Sequence, residues 1–214
     1  MTTTVQSIVD KAQIILQDTS AIRWPESELV SWVNDAQRAI VLIKPDASAT
    51  NETVTLVTGS KQSIPSGGNR LLSVIRNMSA ASGGNGGRTI RIVDKEVLDA
   101  QAPSWHDPAA TGLSKHGTTV KHYVYEESDP RTFYVYPGVA GNAYCEIVYS
   151  ANPAAVTISD NIGLPDLYSV AIMNYVIYMA YMKDADFAGH QQRAASHFQL
   201  FMTSVSGKSQ LDIL

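Results

Sequence analysis

Residues 167–182 read LYSVAIMNYVIYMAYM, and this stretch decides the fold of the C-terminal part of the chain. Ser169 and Asn174 are its only strongly polar residues. A helix that is apolar nearly all the way round must be buried on every side. The stretch is too short for a transmembrane helix, which needs about 20 apolar residues. We therefore predict a helix buried in protein, with no membrane partner.

Downstream of this stretch, the sequence predicts one more helix with a packing seam. Its seam residues recur at alternating spacings of four and three, which is typical of helix packing. They are Phe187, Gln191, Ala194, Phe198, Phe201 and Val205. After Gly207 we expect a free tail. Its apolar residues Leu211, Ile213 and Leu214 are predicted to dock on a portal or on a neighbouring subunit, because no further helix is left to cover them.

The N-terminal segment has the same helical periodicity. Apolar residues at helical spacing predict a first helix over residues 5–16, ended by the turn-forming residues 18–20. Pro25 suits the first position of a second helix, which runs to about Lys44. One face of that helix is apolar.

The middle of the chain changes to a period of two, as in β-strands. Alternating residues occur around positions 54–56, 120–124, 133–135 and 144–148, separated by turns rich in Gly, Asn and Asp. We predict a mainly antiparallel sheet over about residues 51–150, interrupted by one short helix near residues 95–100.

These patterns predict an α+β fold with a discontinuous helical bundle. Neither helical pair alone can bury its apolar face, whereas four helices together can. We therefore expect residues 1–50 and 160–214 to form the bundle and residues 51–159 to form an inserted β domain; three consecutive modules are the alternative. The helix over 167–182 then has a face left over for a neighbouring subunit. The predicted interface residues are Ile172, Tyr175, Tyr178, Met179 and Met182.

Composition narrows the class of function. The net charge of −4 argues against a general nucleic-acid binder, whose footprint is basic. Charged residues make up only 17% of the chain, which indicates that partners cover part of the surface. Cys145 is the single cysteine and cannot form an internal disulfide, so we expect the chain to reside in a reducing cytosol.

No catalytic or cofactor motif stands out, and the sequence predicts a protein that is not an enzyme and holds no cofactor. The residues His106, Asp107, His116 and His122 lack the short spacings of metal motifs. Cys145 lies in a strand without basic neighbours and suits a small core residue better than a nucleophile. Six tyrosines concentrate in three strands, which favours cross-strand packing or a subunit interface over a stacking platform for sugars.

Three parts of the chain resemble a known family. Residues 23–40 read RWPESELVSWVNDAQRAI and are followed by Lys44-Pro45-Asp46. The β region contributes YVY at 123–125, Asp129-Pro130, FYVYP at 133–137 and EIVYS at 146–150. Leu164-Pro165, residues 178–184 and HFQLF at 197–201 complete the pattern. The chain resembles the head-to-tail adaptor proteins of tailed bacteriophages, the group that includes the tail tubular protein A type of short-tailed phages.

The resemblance implies a structural virion protein, assembled in the host cytoplasm. Such adaptors form a ring, usually of twelve copies, that binds beneath the portal protein and extends the DNA channel toward a tail nozzle or other tail protein. It further implies that the helical bundle forms the ring and that the β part faces outward or tailward. The net charge of −4 predicts that genomic DNA passes through the channel without specific binding, because basic residues lining it would instead retain phosphates. The alternatives are a carbohydrate-binding tail module, which would use the tyrosine strands, and a cell-wall hydrolase, for which no acid and base stand out.

Overall fold

The computed structural model describes residues 3–184, 186 and 189–211, with side chains up to residue 207. The chain divides into two compact units. The helical unit comprises the chain up to Ser48 and from Pro153 onward, and the β unit comprises Ala49–Asn152. The predicted α+β fold, with helices from both ends of the chain around an inserted β region, is confirmed.

The helical unit is built from four α-helices and two short 3₁₀ turns within the described residues. The helices are α1 (Val5–Leu16), α2 (Glu26–Ile43), α4 (Ser169–Lys183) and α5 (His190–Leu211). The turns cover Pro45–Ser48 and Asp166–Tyr168. Thr4 caps α1, because its side-chain hydroxyl accepts a hydrogen bond from the backbone N–H of Ser7 at 3.2 Å.

Helix α4 lies at the centre of this unit and packs against α1, α2 and α5. Its residues Ala171, Ile172, Val176, Ile177 and Ala180 are fully buried. Three helical neighbours explain why α4 is apolar nearly all round, since a helix with only one neighbour needs one apolar stripe. Within the described part of the chain, no helix is both long enough and apolar enough to cross a bilayer.

The β unit contains two four-stranded sheets and a short helix, α3 (Lys95–Gln101). The first sheet has the order β1-β8-β3-β4 and is antiparallel throughout. Its strands are β1 (Ala49–Leu56), β8 (Ala143–Ala151), β3 (Gly68–Met78) and β4 (Gly86–Thr89). The second sheet, β2-β7-β6-β5, contains one parallel pair, β5 with β6. Its strands are β2 (Gly59–Ser63), β7 (Thr132–Val139), β6 (His122–Tyr125) and β5 (Arg91–Ile92).

The two sheets enclose one apolar core, and the second sheet has another on its outer face. Leu71, Val74 and Ile147 of the first sheet share a core with Phe133 and Val135 of the second. The outer core is formed by Leu98 and Trp105, from α3 and the segment after it, with Val124 and Tyr136. Strands β6 and β7 are therefore covered on both faces, which explains their high content of aromatic and β-branched residues.

Several boundaries differ from the sequence predictions. The β region forms two sheets, not one. Helix α2 begins at Glu26, and Pro25 precedes it as the cap position rather than the first helical residue. Residues 153–159 lie in the helical unit, where the Asn34 side chain donates to the backbone oxygen of Val156 at 3.0 Å and accepts from its N–H at 2.8 Å.

The predicted free tail after Gly207 is wrong for its first residues. Helix α5 continues to Leu211. A glycine in a helix costs only about 1 kcal/mol relative to alanine, and the good helix formers that follow it keep the helix intact. Ile213 and Leu214, like the predicted seam residue Phe187, lie outside the described residues.

Candidate assembly surface

The α4–α5 face of the helical unit carries a row of aromatic side chains. Tyr178 of α4 lies against Phe198 of α5, with ring centroids 5.0 Å apart, and Tyr175 lies against Phe201 at 5.1 Å. These edge-on and tilted contacts are the arrangements that aromatic pairs prefer. Phe201 is 1% exposed, whereas Phe198 is 42% exposed. The row therefore begins in the core and ends at the protein surface.

A partly buried polar pair joins the two helices at the same face. Asn174 of α4 is buried and its Oδ1 lies 2.9 Å from Nδ1 of His197 on α5, while its Nδ2 donates to the backbone oxygen of Val170. Burial lowers the pKa of His197, which favours the neutral imidazole. A neutral ring with Nδ1 protonated donates to Asn174, so the pair fixes how α5 lies on α4.

The structure separates the predicted interface residues into two groups. Tyr175, Tyr178 and Met179 are half-buried, and Met182 is 45% exposed. Ile172 is completely enclosed by its own unit, so a neighbouring chain has no access to it. We therefore remove Ile172 from the candidate surface. Leu211 is the last residue of α5.

Two further apolar side chains of these helices are exposed but lie outside the predicted set. Val170 on α4 is 55% exposed, and Leu200 on α5 is also exposed. The sequence pattern assigned Phe198 to the packing seam and left Leu200 unassigned. The spacing of apolar residues identified the helix face, but it contains no signal for how far a neighbouring helix covers that face.

Two histidines of the β unit lie among aromatic side chains. His106 and His122 lie with Trp105, Tyr134 and Tyr136 on the outer face of the second sheet, and His106 Nδ1 lies 2.7 Å from the Ser60 hydroxyl. Among the described residues, no group of three or more His, Cys, Asp or Glu side chains is arranged to hold a metal ion.

The Ser60–His106 pair also lacks the rest of a nucleophilic site. Asp99 Oδ1 accepts from the Trp105 indole at 2.9 Å, and the described hydrogen bonds include none between Asp99 and His106. Ser60 is buried, which restricts access to its hydroxyl. Burial raises the pKa of Cys145 to about 12, so its thiol is protonated and unreactive at neutral pH.

The six clustered tyrosines do not share one exposed face. Tyr123 and Tyr149 are buried in the core between the sheets, and Tyr136 is buried in the outer core. A sugar platform needs several exposed rings side by side. The arrangement is that of packing residues, which weakens the carbohydrate-binding alternative.

A known protein family matches nearly the whole chain. Residues 3–212 match the protein family described as SU10 adaptor protein. A search of curated proteins found no match. The matched range covers both the helical unit and the β unit, so the family assignment applies to nearly the whole chain.

Proposed function

The chain belongs to the SU10 adaptor protein family and is therefore a structural phage adaptor, and on that premise we propose that it forms a ring below the portal that joins the capsid to the tail. In the proposed assembly, twelve copies extend the DNA channel and bind the portal protein on one side and a tail nozzle or other tail protein on the other. The assembly forms in the host cytoplasm and remains in the virion. The family is a structural one and not an enzyme class.

The observation that carries the proposal is the family match over residues 3–212. The uncovered apolar side chains of the α4–α5 face support it. Phe198 and Met182 are large, apolar and more than two-fifths exposed on one helical pair. Burial of such apolar surface against a neighbouring subunit stabilises an assembly by about 25 cal/mol for each Å² removed from water.

A matched pair of variants on α5 tests the ring. Phe198→Asp places a charge on the exposed end of the aromatic row, and Gln192→Asp places the same charge on an exposed polar position of the same helix. Mixed with its portal, the wild-type protein is expected to form rings visible by electron microscopy. Gln192→Asp should do so too, whereas Phe198→Asp should remain monomeric with an unchanged circular dichroism spectrum. Normal rings from Phe198→Asp, or no wild-type rings, would contradict the proposal.

Passage of DNA without specific binding has its own test. The net charge of −4 favours repulsion of phosphates over their capture. In a fluorescence titration with duplex DNA at about 0.15 M salt, we expect weak binding that does not depend on sequence. Tight binding with a steep salt dependence would show that the protein binds DNA phosphates, and it would contradict the proposed passage of DNA without binding.

A further inference from the structure

Strand β1 is an open edge of the first sheet. It pairs with β8 in unbroken register, from Ala49 opposite Ser150 to Leu56 opposite Ala143. Along its other side, no strand of the described residues pairs with it. An edge strand presents unpaired backbone N–H and C=O groups, which are a template for another strand.

Three of the usual protections of an edge strand are missing from β1, and the inward-facing Glu52 is its one protective charge. The strand has no lysine, no proline and no bulge over its eight residues. The other edge strands differ from β1. Strand β2 carries Lys61 and a register shift, β4 has four residues with Arg88 and a register shift, and β5 has only two residues. A long and regular edge with a single charge favours a strand that is covered in the assembled protein by a partner able to pair with that charge.

The single charged residue of β1, Glu52, selects what can pair there. Glu52 lies opposite the buried Ile147, so it is on the sheet face that covers the core, and its Oε2 accepts from the Tyr149 hydroxyl at 2.7 Å. The residue is nevertheless exposed at the open edge. A strand added beside β1 would place a side chain next to this carboxylate, and a cation there is favoured over an apolar or acidic residue.

The opposite edge of the same sheet offers that cation. Thr89 of β4 lies opposite Arg76, whose guanidinium bonds Glu146 on the outer face of the sheet. The β3–β4 pairing shifts register between Arg76 and Met78, so β4 has one extra residue there. Ile90, two residues after Arg88, lies in the core between the sheets, so Arg88 belongs to the inner face, the same face as Glu52. Arg88 is exposed and has no ion pair in the described part of the chain.

Other positive charges near Arg88 favour an anion at this edge. The Asn77 side-chain amide donates to the carbonyls of both Arg88 and Val120, so Lys121, the next residue after Val120, is close to Arg88. Arg91 is close as well, because its backbone N–H donates to the Lys121 carbonyl. All three cations act on the neighbouring His122 and, after burial, lower its pKa. A carboxylate brought beside Arg88 would relieve the repulsion among these charges.

Strand directions allow the two edges to meet. The sheet has an even number of strands, each antiparallel to the next, so β4 runs opposite to β1. When copies follow one another head to tail, β4 of one copy lies antiparallel beside β1 of the next, and the inner faces stay on the same side. Such a contact is heterologous and can close into a ring.

We propose that β1 of one copy pairs antiparallel with β4 of the next copy, with Glu52 opposite Arg88, so that the first sheets form a continuous belt. The inference rests on the proposed ring and deepens it by assigning one of its interfaces. In this register, Asn51 lies opposite Thr89 on the outer face.

A charge exchange tests the pairing in the full-length protein. Glu52→Arg and Arg88→Glu each place like charges side by side and should raise the concentration for half-maximal ring formation by at least about tenfold. The double variant Glu52→Arg/Arg88→Glu restores opposite charges and should recover assembly. Lys61→Glu, which changes an exposed cation on β2, is the control for net charge and should assemble like the wild type. Thermal melting of each variant shows whether its fold is retained.

Disulfide trapping tests the register without changing these charges. Asn51→Cys/Thr89→Cys should give a ladder of covalent oligomers when assembled protein is oxidised, since the buried Cys145 stays unreactive. In the control Thr55→Cys/Thr89→Cys, the cysteine of β1 is four residues away, about 13 Å along the strand, beyond the reach of a disulfide. That control should give no ladder.

The outcomes separate this inference from the proposed function. Wild-type rings with neither charge rescue nor a register-specific ladder overturn the β1–β4 pairing and leave the adaptor ring intact. If the wild-type protein forms no ring with its portal, the proposed function fails and the pairing fails with it. Rescue together with the ladder supports both.

Discussion

The helical unit and the β unit each leave part of their surface uncovered, but the uncovered parts differ in kind. In the helical unit the uncovered groups are side chains, such as Phe198 and Met182 on the α4–α5 face. In the β unit the uncovered groups are backbone amides and carbonyls along β1, together with Arg88, which has no ion pair among the described residues. An exposed apolar side chain is stabilised by contact with any well-fitting apolar partner. A strand edge instead requires a partner strand that runs in one direction and pairs in one register.

This difference predicts which mutations each surface tolerates. An apolar patch is expected to accept conservative exchanges such as Phe198→Leu, because the hydrophobic effect is not directional. A strand edge is expected to respond to register and charge and much less to side-chain volume. The following predictions test the interior of each unit against its surface, in order of decreasing effect.

The largest effect is expected inside the helical unit. Val176→Asp places a carboxylate in the centre of α4, where the residue is fully buried, and should destabilise the unit by about 3–5 kcal/mol, because the charge has no partner. Val170→Asp, on the same helix but 55% exposed, is the matched control and should melt near the wild-type temperature. Equal melting temperatures for the two variants would show that α4 is not enclosed as described.

A smaller effect is expected from one buried amide of the β unit. The Asn77 side chain donates to the carbonyls of Arg88 and Val120 and accepts from the Val120 N–H, each at 2.8 Å. Asn77→Leu leaves buried backbone groups without partners and should cost about 2 kcal/mol in urea unfolding. Asn69→Leu removes an exposed hydrogen bond from the Asn69 side chain to the Asn152 side chain, and it should change the free energy of unfolding by less than about 0.5 kcal/mol. A wild-type midpoint for Asn77→Leu would contradict this role.

Acid is expected to destabilise both units through their histidines. Burial is the largest cause that lowers the pKa of His106 and His122 in the β unit and of His197 in the helical unit. A lowered pKa means that the unfolded chain, near pKa 6.5, binds protons more readily than the folded one. The associated stability is therefore present above pH 6.5 and is lost as the pH falls below it.

Melting temperatures between pH 7.5 and 5.5 measure this loss, since ordinary carboxylates titrate below that range. His122→Gln should flatten the pH dependence, because Arg88, Arg91 and Lys121 add to burial in disfavouring the imidazolium at that position. For His106, burial lowers the pKa, Asp99 opposes this effect, and Lys95 and His116 add to it, so His106→Gln should also flatten the pH dependence. An unchanged pH dependence in both variants would refute the assignment.

The smallest effect is expected from a surface ion pair of the helical unit. Lys183 of α4 bonds the Glu28 carboxylate of α2, and both side chains are partly exposed. Glu28→Gln should cost about 0.3 kcal/mol at low salt and nothing measurable at about 0.5 M salt. A loss above about 1 kcal/mol would mean that the pair fixes how the two helices pack. Chemical unfolding at the two salt concentrations measures the difference.

The sequence by itself determined the elements with an undisturbed period. The apolar residues of α1 recur at helical spacing and lie in the core, and the helix bounds Val5–Leu16 agree with the prediction. Periodicity works for α1 because this helix keeps the same face toward one core over its whole length. The helix α4 was predicted from the length of its apolar stretch instead, since three neighbouring helices leave it without a single apolar face.

Strand β3 was missed because its alternation is broken. Its pairing with β8 shifts register between Gly68 and Arg70, between Leu71 and Ser73, and between Val74 and Arg76. Each shift reverses which face the following residues point to, so residues 68–78 show no period of two in the sequence. The division into two sheets was missed with it, since β3 is part of the first sheet.

Tertiary structure alone decided which surfaces are left uncovered. Nothing within β1 shows that it is an edge, because that depends on β8, nearly a hundred residues away, pairing with β1 on one side and β3 on the other. Likewise, Phe198 and Phe201 occupy equivalent positions in the seam pattern, yet only Phe201 is buried. The sequence encodes the preference of each residue for burial. Whether a given side chain or strand edge is covered depends on which distant segment packs against it, and only the folded chain determines that packing.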